Sequence, residues 1–179
     1  DGDEQFHSVF ELVRPLPIRT DSYAAFDLTV KDGTTRVYVY NGNGYEHTYQ
    51  ALYRLDYAHV PYRSLYSGRE NSDAWVNLTQ PLVTAQDYID HSICNGQCVY
   101  DLVVAVPEGR PDTVYLGGQL SRNLGDPAMR STDAGATFNG LTIDLQDPPG
   151  MPHVDVRTIV FSPSNPEIAF IGSDGGVVR

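Results

Sequence analysis

One strand–turn–strand motif, in which a short strand is followed by a tight turn and a second strand, occurs three times in this chain. Each copy alternates apolar and polar residues on either side of a turn that contains Gly or Pro; the copies span residues 26–40, 100–118 and 155–173. Alternation with a period of two is typical of a half-buried β-strand, and such turns join antiparallel neighbours. The recurrence predicts a repeat architecture built from β-hairpins.

Each hairpin is followed by segments that favour further strands, such as 51–56 and 74–78 after the first copy. Four antiparallel strands in a unit of more than about 40 residues is the plan of a β-propeller blade. We therefore predict an all-β chain: a propeller segment with about two full blades and part of a third, expected to be a fragment of a larger ring. A β-sandwich is also compatible with short strands and frequent turns, but that fold gives no reason for one strand–turn–strand motif to recur.

The predicted boundaries of the structural units follow the three copies of the strand–turn–strand motif. They are a preceding strand or linker over 1–23, a first blade over 24–83, an inter-blade loop over 84–99, a second blade over 100–150 and the first half of a third blade over 151–179. No convincing helix is predicted, although residues 84–91 could form one or two helical turns inside the inter-blade loop.

Composition excludes some partners and agrees with the strand pattern. The 12 Tyr, 16 Gly and 12 Pro favour strands and turns, and the net charge is −11 with 12 Lys and Arg together. A basic stripe for a phosphate backbone is therefore not expected, so nucleic acid is excluded as a partner. The chain has no apolar run of roughly 18 residues, so no membrane span is predicted.

The two cysteines, Cys94 and Cys98, flank Asn95-Gly96-Gln97, a turn-forming triplet that brings the two sulfurs within bonding range. We predict an intramolecular disulfide, with two unpaired thiols as the alternative. A disulfide indicates an oxidising compartment, and we therefore expect a secreted chain, extracellular or periplasmic. Two cysteines are too few for a zinc site.

After the second copy comes Ser-Thr-Asp-Ala-Gly-Ala-Thr-Phe, residues 131–138. It fits the pattern Ser-x-Asp-x-Gly-x-Thr-Phe and resembles the Asp box of sialidase-type repeat propellers, as found in secreted bacterial glycosyl-hydrolase-like proteins. We expect the Asp side chain to accept hydrogen bonds from backbone amides two residues ahead, the Gly to adopt a left-handed conformation and the aromatic ring to be buried. The key positions are Ser131, Asp133, Gly135, Thr137 and Phe138.

The resemblance implies that the Asp box is structural, because in this family it lies on the rim opposite the ligand-binding face. Candidates for chemistry then come from the starts of the inner strands. The weak catalytic candidates there are Asp101, His153, Asp155 and Arg157. Glycoside hydrolysis needs two carboxyl groups, which Asp101 and Asp155 could supply from adjacent inner strands. The simpler interpretation of an Asp that starts a strand is that it caps a turn.

His153 and Asp155 are two residues apart on a predicted strand and would point the same way, but two ligands are too few for a metal site. No metal or cofactor is therefore predicted; a calcium site at the acidic residues 1–4 is conceivable but has no support.

The leading functional hypothesis is a binding or scaffold module that packs with further blades of its own protein or with partner chains, with glycans as a further candidate ligand. The alternative is part of a sialidase-like or xyloglucanase-like glycoside hydrolase whose catalytic groups lie partly outside this chain.

Overall fold

The computed structural model describes residues 22–43, 50–58, 75–85, 92–119, 126–141 and 153–179. Within these ranges the chain forms three small antiparallel sheets and one short helix. The all-β prediction is therefore confirmed for the described residues, and none of their helical segments has the length and hydrophobicity that a membrane span needs.

The first sheet is a meander in which every strand pairs with the next one along the chain. Its strands are β1 (Ser22–Lys31), β2 (Thr34–Asn43), β3 (Gln50–Ala58) and β4 (Trp75–Asn77). Asp32 and Gly33 alone join β1 to β2, with φ angles of 50° and 77°. Two successive left-handed residues make the turn that matches the twist of paired strands, and Asp-Gly is a preferred pair for it.

The second and third sheets follow the same order of pairing. The second contains β5 (Val103–Ala105), β6 (Val114–Gly117), β7 (Ala128–Ser131) and β8 (Asn139–Gly140), and the third contains β9 (Val156–Ser162), β10 (Asn165–Ser173) and β11 (Gly176–Val178). The second and third copies of the strand–turn–strand motif lie in these two sheets, and each forms the antiparallel strand pair that the sequence predicts.

A helix lies where the sequence analysis predicts none. The helix α1 spans Thr79–Ala85 and overlaps only the first two residues of the segment 84–91, for which one or two helical turns were considered; residues 86–91 lie outside the described residues. The Thr79 amide donates to Asn77 Oδ1, which supplies a polar cap, and Pro81 is tolerated because it lies in the first turn. Leu78 and Leu82 are buried in the core, so tertiary packing stabilises this short helix.

The second sheet lies between the other two. Tyr38, Tyr40 and Leu52 of the first sheet share a buried cluster with residues of the second, among them Val104, Leu116 and Met129. A separate cluster joins the opposite face of the second sheet to the third; it contains Ala105, Tyr115, Ala128, Val156, Ile159 and Ile171. The first strand of each sheet also lies next to the first strand of the following sheet, since β1 contacts β5 and β5 contacts β9.

Candidate functional site

The Asp box forms the turn between β7 and β8. The Asp133 carboxylate accepts hydrogen bonds from the Thr137 amide (2.9 Å) and the Thr137 hydroxyl (2.6 Å). The Ser131 hydroxyl donates to Asp133 Oδ1 (2.8 Å) and accepts from the Gly135 amide (2.8 Å). The bonds from Thr137, together with that from Ser131, lower the pKa of Asp133. All five key residues of the motif therefore lie in one turn whose polar groups are satisfied by each other.

The geometry of this turn agrees with the expected one except in one detail. Gly135 is left-handed with φ of 86°, and Phe138 is buried. The amide that Asp133 binds is four residues ahead, whereas the sequence analysis expected amides two residues ahead. A Cβ at Gly135 would also clash with Leu78, and the Ala134 carbonyl accepts a hydrogen bond from Arg54. The box thus holds its own turn and also fastens it to the first sheet.

The disulfide loop, residues 93–100, lies between the ends of two sheets. Cys94 and Cys98 are bonded, as predicted, and Asn95 and Gly96 between them have left-handed φ angles of 42° and 81°. A Cβ at Gly42, in β2, would clash with the Cys98 sulfur. The Gln119 amide donates to the Ile93 carbonyl (2.9 Å), which fastens the other side of the loop to the end of β6.

An open cavity of about 330 Å³ adjoins this loop. Three elements line it: the disulfide loop, the start of β9 and the turn between β10 and β11. The lining residues are Gln97, Tyr100, Asp155, Arg157 and Asp174. Asp155 lies just before β9 with φ of 62°, a left-handed conformation that Asp tolerates better than most residues.

Asp101 does not line this cavity but is fully buried next to it, as an ion-pair neighbour of the lining residue Arg157. Among the described residues neither of its carboxylate oxygens accepts a hydrogen bond, and Arg157 Nε lies 3.6 Å from Oδ1. Burial raises the pKa of Asp101 to about 6, the negative charge of Asp155 raises it further, and the Arg157 cation opposes both effects. A buried carboxyl without hydrogen bonds is costly when it is ionised, which makes this group a candidate for function.

Arg157 connects the buried carboxyl to the cavity wall. Its Nε donates to Asp174 Oδ1 (2.8 Å) and a terminal nitrogen donates to Asp174 Oδ2 (3.3 Å). The guanidinium also lies 5.5 Å from the centre of the Tyr100 ring, within the range of a cation–π contact. The Asp174 carboxylate raises the pKa of Arg157, so the group stays positively charged.

The structure brings together three of the four catalytic candidates, Asp101, Asp155 and Arg157. His153 does not line the cavity; its side chain packs against Gly175 and its Nδ1 lies 3.0 Å from the Val154 carbonyl oxygen. The strand argument for His153 and Asp155 was wrong, since β9 begins only at Val156. No group of three or more metal-binding side chains occurs in the described parts of the chain.

Sequence reasoning missed Gln97, Tyr100 and Asp174 as members of this site. Gln97 entered only as part of the turn between the cysteines. Their proximity depends on the packing of the third sheet against the second, for which the local sequence carries no signal.

The chain matches no protein-family model, no curated protein and no solved structure.

Proposed function

We propose that this chain is a segment of a secreted, Asp-box type β-propeller that acts as a binding or scaffold module and packs with further blades or partner chains. The observation that carries the proposal is the stacking of three antiparallel meanders with their first strands adjacent. Propeller blades are arranged in this way around a central channel. The Asp-box turn between the third and fourth strands of the second sheet supports the same proposal.

The faces at the two ends of the stack supply the surfaces for packing. Phe26, Leu28 and Val30 alternate along β1 and are 66%, 46% and 48% exposed. The opposite face of β1 turns toward the second sheet, because Asp27 and Thr29 accept hydrogen bonds from the amides of Val106 and Gly109. A row of exposed apolar side chains on an outward sheet face marks an interaction surface.

The third sheet presents a similar face on the other side. Val160 and Phe170 are cross-strand partners on that face, and Val177 continues it on β11. These three side chains are exposed, whereas Ile159 and Ile171 on the opposite face are buried against the second sheet. Both outward faces therefore have the apolar character that a neighbouring blade would cover.

The experiment compares the two outward faces with an exposed apolar residue elsewhere. We expect the 179-residue chain to self-associate and to bind a hydrophobic dye, and Phe26→Ser combined with Val177→Ser to reduce both. Val99→Ser is the matched control, because Val99 is exposed on the disulfide loop and belongs to neither face. Sedimentation velocity and dye fluorescence measure the effects. A monomeric chain that binds no dye, or equal effects of the control, would contradict the proposal.

The second candidate function is a carbohydrate-active hydrolase, and one observation favours it. A carboxyl with a pKa raised to about 6 next to a second carboxylate is the kind of pair that glycosidases use. The burial of Asp101 opposes a direct role, because a general acid must reach the leaving oxygen. Hydrolysis of aryl glycosides that is lost in Asp155→Asn and retained in Glu167→Gln would favour the enzyme over the binding module.

A further inference from the structure

We propose that the cavity lined by Gln97, Tyr100, Asp155, Arg157 and Asp174 binds an alkylammonium group, from a small amine or from a lysine side chain. The proposal rests on the cavity itself and does not depend on whether the sheets belong to a propeller. It goes beyond the packing role proposed above, because the site lies between the second and third sheets and away from both outward faces.

The charges around the cavity are unbalanced. Asp155 and Asp174 line it and Asp101 lies next to it, whereas Arg157 is the only cation among the described residues that line it. That guanidinium already donates two hydrogen bonds to Asp174. Asp101 and Asp155 are therefore left with one shared cation at a distance, and a second cation in the cavity would compensate their charge.

The burial of Asp101 strengthens this effect. Solvent and salt screen a buried charge much less than an exposed one, so the ionised carboxylate acts strongly on charges in the adjacent cavity. Among the described residues neither of its oxygens accepts a hydrogen bond, and its ion pair with Arg157 is long at 3.6 Å. A cation that enters the cavity would reduce this electrostatic cost, and the protein would gain stability on binding.

The walls favour an organic cation over a metal ion. The described residues contain no group of three or more side chains that could hold a metal ion. The half-exposed ring of Tyr100 offers an apolar surface for an alkyl chain, and the Gln97 side chain lines the same wall and carries an amide oxygen that can accept from an ammonium group. A cavity of about 330 Å³ accommodates a short alkylammonium ion.

Binding should depend on pH through Asp101. The charged groups around this carboxyl are Asp155, Arg157 and Asp174, and His153 packs on Gly175 beside Asp174. A bound ammonium favours the ionised carboxylate, so ligand binding near pH 6 should release protons. Below that pH the protonated Asp101 no longer attracts the ligand, and affinity should fall.

The test titrates the protein with n-butylammonium chloride at pH 7.5 and low ionic strength, followed by calorimetry and amide NMR shifts. We expect saturable binding that weakens at least about tenfold in Asp155→Asn and that loses its pH dependence in Asp101→Asn. Glu167→Gln, which removes the same charge from the exposed ion pair with Arg110, is the matched control and should bind normally. Asp101→Asn keeps the test decisive if Asp155→Asn does not fold, because its loss of pH dependence is measured independently.

Further probes separate the alternatives. Nα-acetyl-lysine N-methylamide that binds more tightly than butylammonium would identify a lysine side chain as the natural source, and equal or weaker binding would identify a free amine. Equal binding of neutral n-butanol, tighter binding of Ca²⁺, or equal effects of Asp155→Asn and Glu167→Gln would each overturn the proposal. No saturable binding of either ammonium probe would also overturn it.

Discussion

At the boundary between the first and second sheets, Asp27 accepts hydrogen bonds from the amides of Val106 (2.7 Å) and Leu28 (2.8 Å). At the boundary between the second and third sheets, Asp101 is fully buried and accepts none. Both residues lie in or just before the first strand of their sheet. The comparison shows that one carboxylate joins two sheets whereas the other is held at a cost, and such a cost is typical of a functional group.

The remaining polar contacts follow the same division. The first boundary is fastened by side chains that bind backbone groups: the Tyr38 hydroxyl donates to the Pro111 carbonyl (2.7 Å) and Thr29 accepts from the Gly109 amide (2.8 Å). The second boundary has a backbone bond from the Val156 amide to the Gly118 carbonyl, and its charged groups surround the cavity. The first boundary is therefore built for cohesion, and the second combines cohesion with a binding site.

The largest effect is expected where the third sheet approaches the second most closely. A Cβ at Gly117 would clash with the Val156 side chain, so Gly117→Ala should destabilise the fold by roughly 1–3 kcal/mol. Denaturant unfolding measures the loss. Val156→Ala in the same chain should recover part of it, because the two side chains compete for one space. Strictly additive effects of the two substitutions would show that the sheets do not approach as described.

Asp27→Asn tests the cohesive boundary. The new amide nitrogen would face one of the two backbone N–H groups, and a donor left without an acceptor costs about 1–3 kcal/mol. We expect a lower free energy of unfolding at pH 7. Glu108→Gln, an exposed acid in the turn after β5, is the control for the loss of one charge. A stability equal to that of the control would mean that Asp27 does not join the sheets.

The same substitution at Asp101 should have the opposite effect and increase the stability of the fold at pH 7. The pKa of Asp101 is about 6 in the folded protein and about 4 in the unfolded chain, so the folded state retains a proton that the unfolded state loses between these values. Stability from this group is therefore present below about pH 4 and is lost as the pH rises through 6. Asp101→Asn removes the charge and should raise the free energy of unfolding at pH 7 by roughly 1–2 kcal/mol. The gain is smaller than the full cost of the charge, because the new amide also needs hydrogen-bond partners.

The measurement is the difference in unfolding free energy between the unmodified protein and Asp101→Asn at several pH values. This difference should be small near pH 4 and should grow toward pH 7. A constant difference, or destabilisation at pH 7, would refute the assignment of a costly charge to this site.

The smallest effect is expected at the Asp box. Asp133→Ala removes the acceptor of the Thr137 amide and hydroxyl, but the side chain is exposed and water can replace it in part. We expect a loss of roughly 1 kcal/mol in the free energy of unfolding. Affinity for the ammonium probes should stay unchanged, since the cavity is lined by other residues. Loss of binding with unchanged stability would reverse the assignment of the box to structure.

Local patterns were sufficient for those parts of the fold that short-range chemistry decides. Asp32-Gly33 specifies its own two-residue hairpin, the spacing of Cys94 and Cys98 allows their bond, and the residues of the Asp box satisfy one another within eight positions. The helix α1 escaped this reasoning because Leu78 and Leu82 stabilise it through contacts with distant strands.

The sequence by itself determined the β class, the repeated hairpins, the disulfide and the Asp-box turn, because each depends on residues that are close along the chain. It also marked Asp101, Asp155 and Arg157 as candidates. Only the tertiary structure decided that Tyr100 and Asp174 lie with Asp155 and Arg157 around one cavity and that Asp101 is buried next to it. The reason is physical: burial and charge proximity arise from the packing of the third sheet on the second, and such long-range contacts have no local pattern that encodes them.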